Sequence, residues 1–401
     1  MLRRMTLAMG VCLSLAAVVA VAANADEKAN EWVYIGTRGA VISEKKGAEL
    51  DGGERSPQGI YAARFNTLTG QLSPPELQVR LPRATWLVRH PRLPVIYTAA
   101  DAGTGAAAES NILGFEVEPA SGKLTQLNQV GAGGVDATHL AFDATSNTLF
   151  VANHGSGDVT ALPVRPDGQL GVVASTQKDY GTGPHPRQKM PEPHGVAVDP
   201  SHRYVLVTDF GADRIFVYHF DGATRTLSPA GVPYEAVPPG SGPRHLTFSP
   251  DGRFLYLLTE LTAELRVYRW DARKAHLEAV QVLSAYPADA PGQQKSGGEI
   301  AFSRNGRFLY VSLRGDQDSL VVYQAMENGQ LREIQRLPAL GKSPWSIAID
   351  PADRWLFVAN EASNSVSLFN IDPASGRLSA TEESLSIPKP VTIAFYARKQ
   401  H

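Results

Sequence analysis

A short apolar strand recurs along this chain, and the two residues that open it come from types that could do chemistry. Aligned on the position of Pro250, the copies place Thr85, Thr138, His194, Arg244, Gly298 and Trp345 in one column, and Trp86, His139, Gly195, His245, Glu299 and Ser346 in the next. A purely structural repeat would hold small or apolar residues there. Glu260 and Arg314 stand at the ends of the strands that follow the Arg244 and Gly298 copies. Histidine exchanges protons near neutrality. Arginine offers a planar, permanently charged fork that holds a carboxylate or phosphate. Together these types support proton transfer beside a bound or developing anion. Other chemistries lack their residues: there is no H-E-x-x-H, no paired C-x-x-C, no G-x-S-x-G turn and no phosphate loop. Asn153, Asp209, Glu260 and Asn360 end second strands in different units and resemble oxygen ligands for calcium, but nearby arginines would repel a cation. No metal and no cofactor is expected.

The elements that position these columns are themselves repetitive. Each copy is followed by a polar turn such as Asp251-Gly252-Arg253, an alternating strand such as residues 254–258, a third strand such as residues 265–268, and a turn ending in leucine. That leucine occurs seven times, as Leu72, Leu124, Leu170, Leu227, Leu277, Leu331 and Leu378, and five copies have glycine two positions earlier. The separations of 46 to 57 residues suit a four-stranded propeller blade. Six first strands precede six of the turns. The seventh lies at the far end of the chain, in residues 391–396, while the strands it needs lie at residues 32–36 and 59–65. The expectation is an all-β, seven-bladed β-propeller closed by pairing the C-terminal strand with the N-terminal blade, which leaves no open sheet edge. In such a ring the starts of the innermost strands line one mouth of the central channel. The two columns converge there.

Composition agrees with many short strands: 36 glycines and 28 prolines in 401 residues. A net charge of −2 provides no basic field for a nucleic-acid partner. Met1-Leu2-Arg3-Arg4, an apolar run from about Leu7 to Ala23 and Ala23-Asn24-Ala25 read as a secretory signal with its cleavage site. Residues 1–25 are therefore expected to be a signal peptide and residues 26–401 a single propeller domain, periplasmic or secreted, with no membrane attachment after cleavage. The one cysteine, Cys12, falls inside the signal, so the mature chain would have neither disulfides nor thiolate chemistry. The sequence does not specify an oligomeric state.

Gly240-Ser241-Gly242-Pro243-Arg244-His245, running on to Glu260-Leu261, resembles a G-x-G-P-R-H … N-E-L pattern. Pro193-His194-Gly195 with residues 209–214, and Glu299-Ile300 with residues 311–315, match further stretches in order. Over nearly the whole mature chain these resemble the seven-bladed propeller lactonases typified by the bacterial 6-phosphogluconolactonase, which include carboxymuconate-lactonizing enzymes. The resemblance implies hydrolysis of a sugar-derived lactone at a catalytic set of His194, Arg244, Glu260 and Arg314. His194 would be general base with Glu260 orienting it, an arginine or the water, or Glu260 would itself be the base. Arg244 and Arg314 would hold the oxyanion or an acidic group of the substrate. His139, His245, Glu299 and Trp345 would line the substrate site.

Structural readings stand beside these. Glu260 with Arg244 also reads as an ion pair between blades, His139 and His245 as packing or supporting residues, and Glu299 as either. Asp213-Arg214 reads as an ion pair within a turn. Alternatives to the hydrolase are an inactive exported propeller that binds a ligand or protein, and a muconate-type lactonizing cycloisomerase. Three positions depart from the family pattern: Pro344-Trp345-Ser346 replaces P-R-x-F, Asn360-Glu361 replaces N-Q, and Thr259 precedes Glu260 where asparagine is usual. They bear on the substrate more than on the chemistry.

Overall fold

The computed structural model describes residues 30–38, 58–100, 109–287 and 294–396, so the expected signal peptide lies outside the described residues. Seven four-stranded antiparallel sheets form the blades of a ring. Six follow chain order with their innermost strands at Trp86–Arg89, Ala137–Asp143, Pro193–Val198, Pro243–Phe248, Lys295–Phe302 and Pro344–Ile349, which we call blades 2 to 7. In blade 1 the innermost strand is Pro390–Tyr396, paired antiparallel with Asn30–Thr37 through Val33 opposite Phe395 and Ile35 opposite Ile393. The expected closure by the two chain ends is what the molecule does.

Second strands such as Phe254–Thr259 and Trp355–Asn360 are buried at every residue. A blade has a neighbour on each face, so its strands read as continuous apolar runs instead of alternating ones. The seven apolar clusters lie between blades. One joins Tyr256, Leu258 and Leu265 of blade 5 to Leu309, Val311 and Val321 of blade 6. Another joins Val33 and Ile35 to Phe357 and Leu368 across the closure.

The leucine turns are clasps between blades. Gln335 of blade 6 donates from Nε2 to the Leu378 carbonyl at 2.8 Å and accepts the Leu378 N–H at 2.7 Å, while the Tyr310 hydroxyl reaches the Gly376 carbonyl at 3.0 Å. Gly376 has φ +71°, and a Cβ there would lie 2.3 Å from the Phe308 ring. Both the left-handed backbone and the close approach require glycine.

A second repeated device matters more for function. In five blades the pairing of the two innermost strands slips by one residue near the start of the innermost strand, between Ala137 and His139, Pro193 and Gly195, Pro243 and His245, Pro344 and Ser346, and at Pro390–Thr392. The residue skipped by the ladder is Thr138, His194, Arg244, Trp345 or Val391. In blade 6 the slip lies between Gly297 and Ile300 and skips Gly298 and Glu299. A bulge leaves its extra residue unpaired and re-aims its side chain.

Candidate active site

The bulged residues open onto one cavity of about 170 Å³ at the mouth of the channel. Thr138, His194, Arg244, Trp345 and Val391 line it, with Thr85 and Trp86 from blade 2 and Glu260 from the end of the second strand of blade 5. Five of the six residues of the first column thus line the site. In the second column Trp86 and His245 also reach the cavity and the rest lies behind: the His245 ring is 4.9 Å from that of His139 and 5.0 Å from that of His194, and Trp86 lies 4.1 Å from His139.

Glu260 is the electrostatic hub. Its Oε2 accepts from Arg244 Nε at 3.2 Å and pairs with Arg314 Nη2 at 2.8 Å, and its Oε1 pairs with Arg187 Nη2 at 2.8 Å. Burial would push this carboxyl up, but Arg314, Arg244 and Arg187 together hold it well below the usual carboxylate range. Arg244 is 1% exposed; it donates from Nη1 to the Gly298 carbonyl, and burial with the neighbouring Arg314 lowers it to about 10. Arg314 donates twice to the Gly297 carbonyl, at 3.2 and 2.8 Å. Both guanidiniums lie over Trp345, at 5.4 Å for Arg244 and 4.4 Å for Arg314, and Arg38 is a third at 4.9 Å. Three arginines on one carboxylate leave surplus positive charge facing the cavity.

The histidines do not add to that charge. Burial, with Arg244 as the next cause, drives His194 well below its usual value, and the same pair of causes acts on His245. His139 is lowered by burial and by His245, and its Nδ1 accepts the Val196 N–H at 3.3 Å. All three are neutral at pH 7. His245 Nδ1 lies 2.7 Å from Glu299 Oε1, and burial pushes Glu299 up to about 7 against the pull of Arg244. His194 Nδ1, His245 Nε2 and Glu299 Oε2 are buried with no hydrogen-bond partner among the described residues.

Of the eight candidate residues named from the sequence, His194, Arg244, His245, Glu260 and Trp345 line the cavity, while Arg314 reaches Glu260, Glu299 reaches His245 and His139 packs on Trp86. The sequence reading missed several that share it: Arg187, His154, Arg83, Asp136 and Arg38 also line the cavity. Arg187 enters from the glycine- and proline-rich loop ahead of His194 and stacks at 4.6 Å on Phe210; its basic character in a loop feeding the site strand was the only available signal. Asp136 accepts from Arg83 at 2.6 Å and lies 3.8 Å from His154 Nδ1.

One expectation is corrected. Asp213 and Arg214 do not form an ion pair. The Asp213 carboxylate instead accepts the Gly240 and Gly242 N–H groups at 2.7 and 2.8 Å, fixing the turn that presents Arg244. Arg214 points away, over the rings of Tyr234 and Tyr180. Residue 213 takes a left-handed backbone with φ 52°, which sends the two side chains apart.

Residues 33–395 match the family model described as lactonase, 7-bladed beta-propeller. The chain is 31% identical to the 6-phosphogluconolactonase of Bacillus subtilis (strain 168) over 84% of its own length and 94% of that protein, and 26% identical to the 6-phosphogluconolactonase of Formosa agariphila over 82% and 93%. Among solved structures, the periplasmic gluconolactonase of Pseudomonas aeruginosa superposes with a TM-score of 0.81 at 30% identity, covering 91% of this chain and 99% of that one. With its blade count, its closure and its arginine-rich mouth, the chain belongs to the seven-bladed β-propeller lactonase family and is a lactonase.

Proposed function

We propose that this lactonase opens a sugar-derived lactone that carries an acidic group, and that it does so after export. One observation carries the reading: Arg244, Arg314 and Arg187 converge on the single carboxylate of Glu260 at 2.8 to 3.2 Å, beside neutral histidines. Such a mouth favours a substrate anion and the oxyanion that forms when water adds to the ring carbonyl, and the burial of Arg244 and Arg314 strengthens both interactions. The roles divide by accessibility. Arg244 and Arg314 are buried and held by backbone carbonyls, which suits preorganised stabilisation of the oxyanion. Arg187 is 57% exposed at its side chain and bound to Glu260 by one contact, so it is the arginine that can leave its carboxylate for a carboxylate or phosphate of the substrate. Glu260 organises the arginines. His194, His245 and Trp345 shape the cavity against the sugar ring, with His139 and Glu299 behind. Support for export comes from the N-terminal sequence and from the periplasmic Pseudomonas relative. Among the described residues no helix is long and apolar enough to cross a membrane.

Proton release on ring opening tests this with gluconolactone and its 6-phosphate, comparing wild type with Arg187→Ala and Arg314→Ala. Arg187→Ala is expected to raise KM for the phosphorylated lactone about tenfold, the effect of one lost charge contact of about 1.4 kcal/mol, and to change KM for the neutral lactone less than twofold. Arg314→Ala should lower kcat on both. Wild type that hydrolyses neither lactone faster than buffer, nor a carboxylate-bearing one, refutes the proposal.

A further inference from the structure

We propose that His245 is the group that takes the proton from water and returns it to the departing ring oxygen, and that Glu299 decides which nitrogen of His245 is free to do so. The inference rests on the lactone reading for its substrate. Its basis is the packing of His245 between the cavity and Glu299.

Glu260 is poorly placed to accept a proton. Three guanidiniums already occupy its two oxygens. His194 lines the cavity, but no described carboxylate or carbonyl touches its Nδ1, which is buried and unpartnered, so nothing fixes its tautomer. His245 has what His194 lacks. Its Nδ1 meets Glu299 Oε1 at 2.7 Å, the residue lines the cavity, and its buried Nε2 has no hydrogen-bond partner among the described residues. A carboxylate behind an imidazole selects the tautomer in which the far nitrogen carries the lone pair. His245 faces Arg244 beside it, His194 from blade 4, His139 from blade 3 and Glu299 from blade 6, with Arg314 and Glu260 as further charges. Glu299 faces Arg244, Arg314, His139 and His245 and accepts the Ile300 N–H at 3.0 Å.

Arg244 makes the carboxylate decisive. Its Nη1 lies 3.2 Å from His245 Nδ1, and a guanidinium can only donate. Without a stronger acceptor, Nδ1 therefore accepts and the ring proton sits on Nε2, where it blocks the base. With Glu299 ionised, Nδ1–H donates to Oε1 and the Nε2 lone pair is free. Nε2 then takes a proton from water as the water oxygen bonds to the lactone carbonyl carbon, and the C=O π pair moves onto oxygen beside Arg244 and Arg314. On collapse the ring C–O bond breaks, the departing oxygen keeps the electron pair and receives the proton from Nε2. The new carboxylic acid then loses its own proton to solvent. With Glu299 protonated, its O–H donates to Nδ1, and His245 offers no base. His245 is catalytic in this scheme, and Glu299 is a positioning residue.

The test uses the whole protein. Initial rates with gluconolactone and its 6-phosphate are measured from pH 5.5 to 8.5, and 15N NMR of ring-labelled histidine reads the tautomer of His245 over the same range without substrate. The expected wild-type kcat rises about tenfold per pH unit and levels near pH 7, the value to which burial raises Glu299, while the lone-pair signal moves from Nδ1 to Nε2. Glu299→Gln should lower kcat by about 10²-fold or more and abolish the limb, with KM changed less than threefold. Glu299→Asp should retain turnover with the limb displaced, which covers a failure of the glutamine variant to fold. His245→Asn should lose kcat to the same extent, whereas His194→Ala should keep the limb. A limb near pH 7 that survives in Glu299→Gln, a His245→Asn enzyme within threefold of wild type, or an Nε2 that stays protonated across the range overturns the inference. If wild type opens no lactone, the substrate reading falls, and the NMR titration still decides the Glu299–His245 coupling.

Discussion

Replacing Glu260 by glutamine asks the mouth of the propeller to hold three guanidiniums with no carboxylate among them. Arg244 and Arg314 are 1% and 6% exposed and share Glu260 Oε2 at 3.2 and 2.8 Å, so neither can turn to water when the charge is removed. Breaking a buried pair by removing one partner costs about 3–5 kcal/mol. With an unfolding entropy of about 2.1 cal/mol/K per residue, a ring of about 370 residues loses about 1 °C in its midpoint per 0.8 kcal/mol, so the variant should melt about 4–6 °C lower. The loss should shrink in acid. The carboxyl of Glu260 is depressed in the folded state below its ordinary value of 4.5, so its stabilisation is complete above that value and disappears as pH falls toward the folded one. Inorganic phosphate should recover part of the midpoint in Glu260→Gln and less in wild type, because only the variant offers the guanidiniums an empty anion site. Thermal unfolding followed by circular dichroism from pH 3 to 7, with and without phosphate, measures all three effects. A folded Glu260→Gln protein that melts within 1 °C of wild type at pH 7 refutes the hub.

Two other perturbations address the frame. Truncation before Pro390 removes the innermost strand of blade 1 and exposes Asn30–Thr37 as an edge, so cooperative melting should be lost; unchanged melting would refute the closure. Gly376→Ala forces a Cβ to within 2.3 Å of Phe308 at φ +71°, and urea unfolding should show it less stable by about 1–3 kcal/mol; a neutral result would mean the clasp yields freely.

The fold was legible because several blades are clasped to the next in the same way, an amide side chain meeting the turn at Leu170, Leu331 and Leu378. A turn that must present leucine to an amide side chain and admit an aromatic ring leaves the same leucine, and usually glycine, in the sequence each time. The site columns were legible for a related reason: His194, Arg244, Trp345 and Val391 each follow a proline that begins the innermost strand. Arg187 was not legible, since its loop obeys no period and its partner Glu260 is 73 residues away. The contact of His245 with Glu299 was hidden similarly. Both stood in the right column, but only the width of the closed channel brings two adjacent blades within 2.7 Å. Asp213-Arg214 misled because adjacency in sequence suggests a pair, and a left-handed turn separates them.

The bulge also separates inheritance of the frame from inheritance of the chemistry. Thr138, His194, Arg244, Trp345 and Val391 are skipped by the ladder, so replacing any of them alters a shared volume of about 170 Å³ without removing a rung of the sheet. Five of the seven blades therefore each offer one variable to selection, and a change of substrate can be reached by single steps around the ring. The backbone ladder is the same under a threonine, a valine or an arginine seat, and descendants of one ring can diverge in what they open while remaining superimposable.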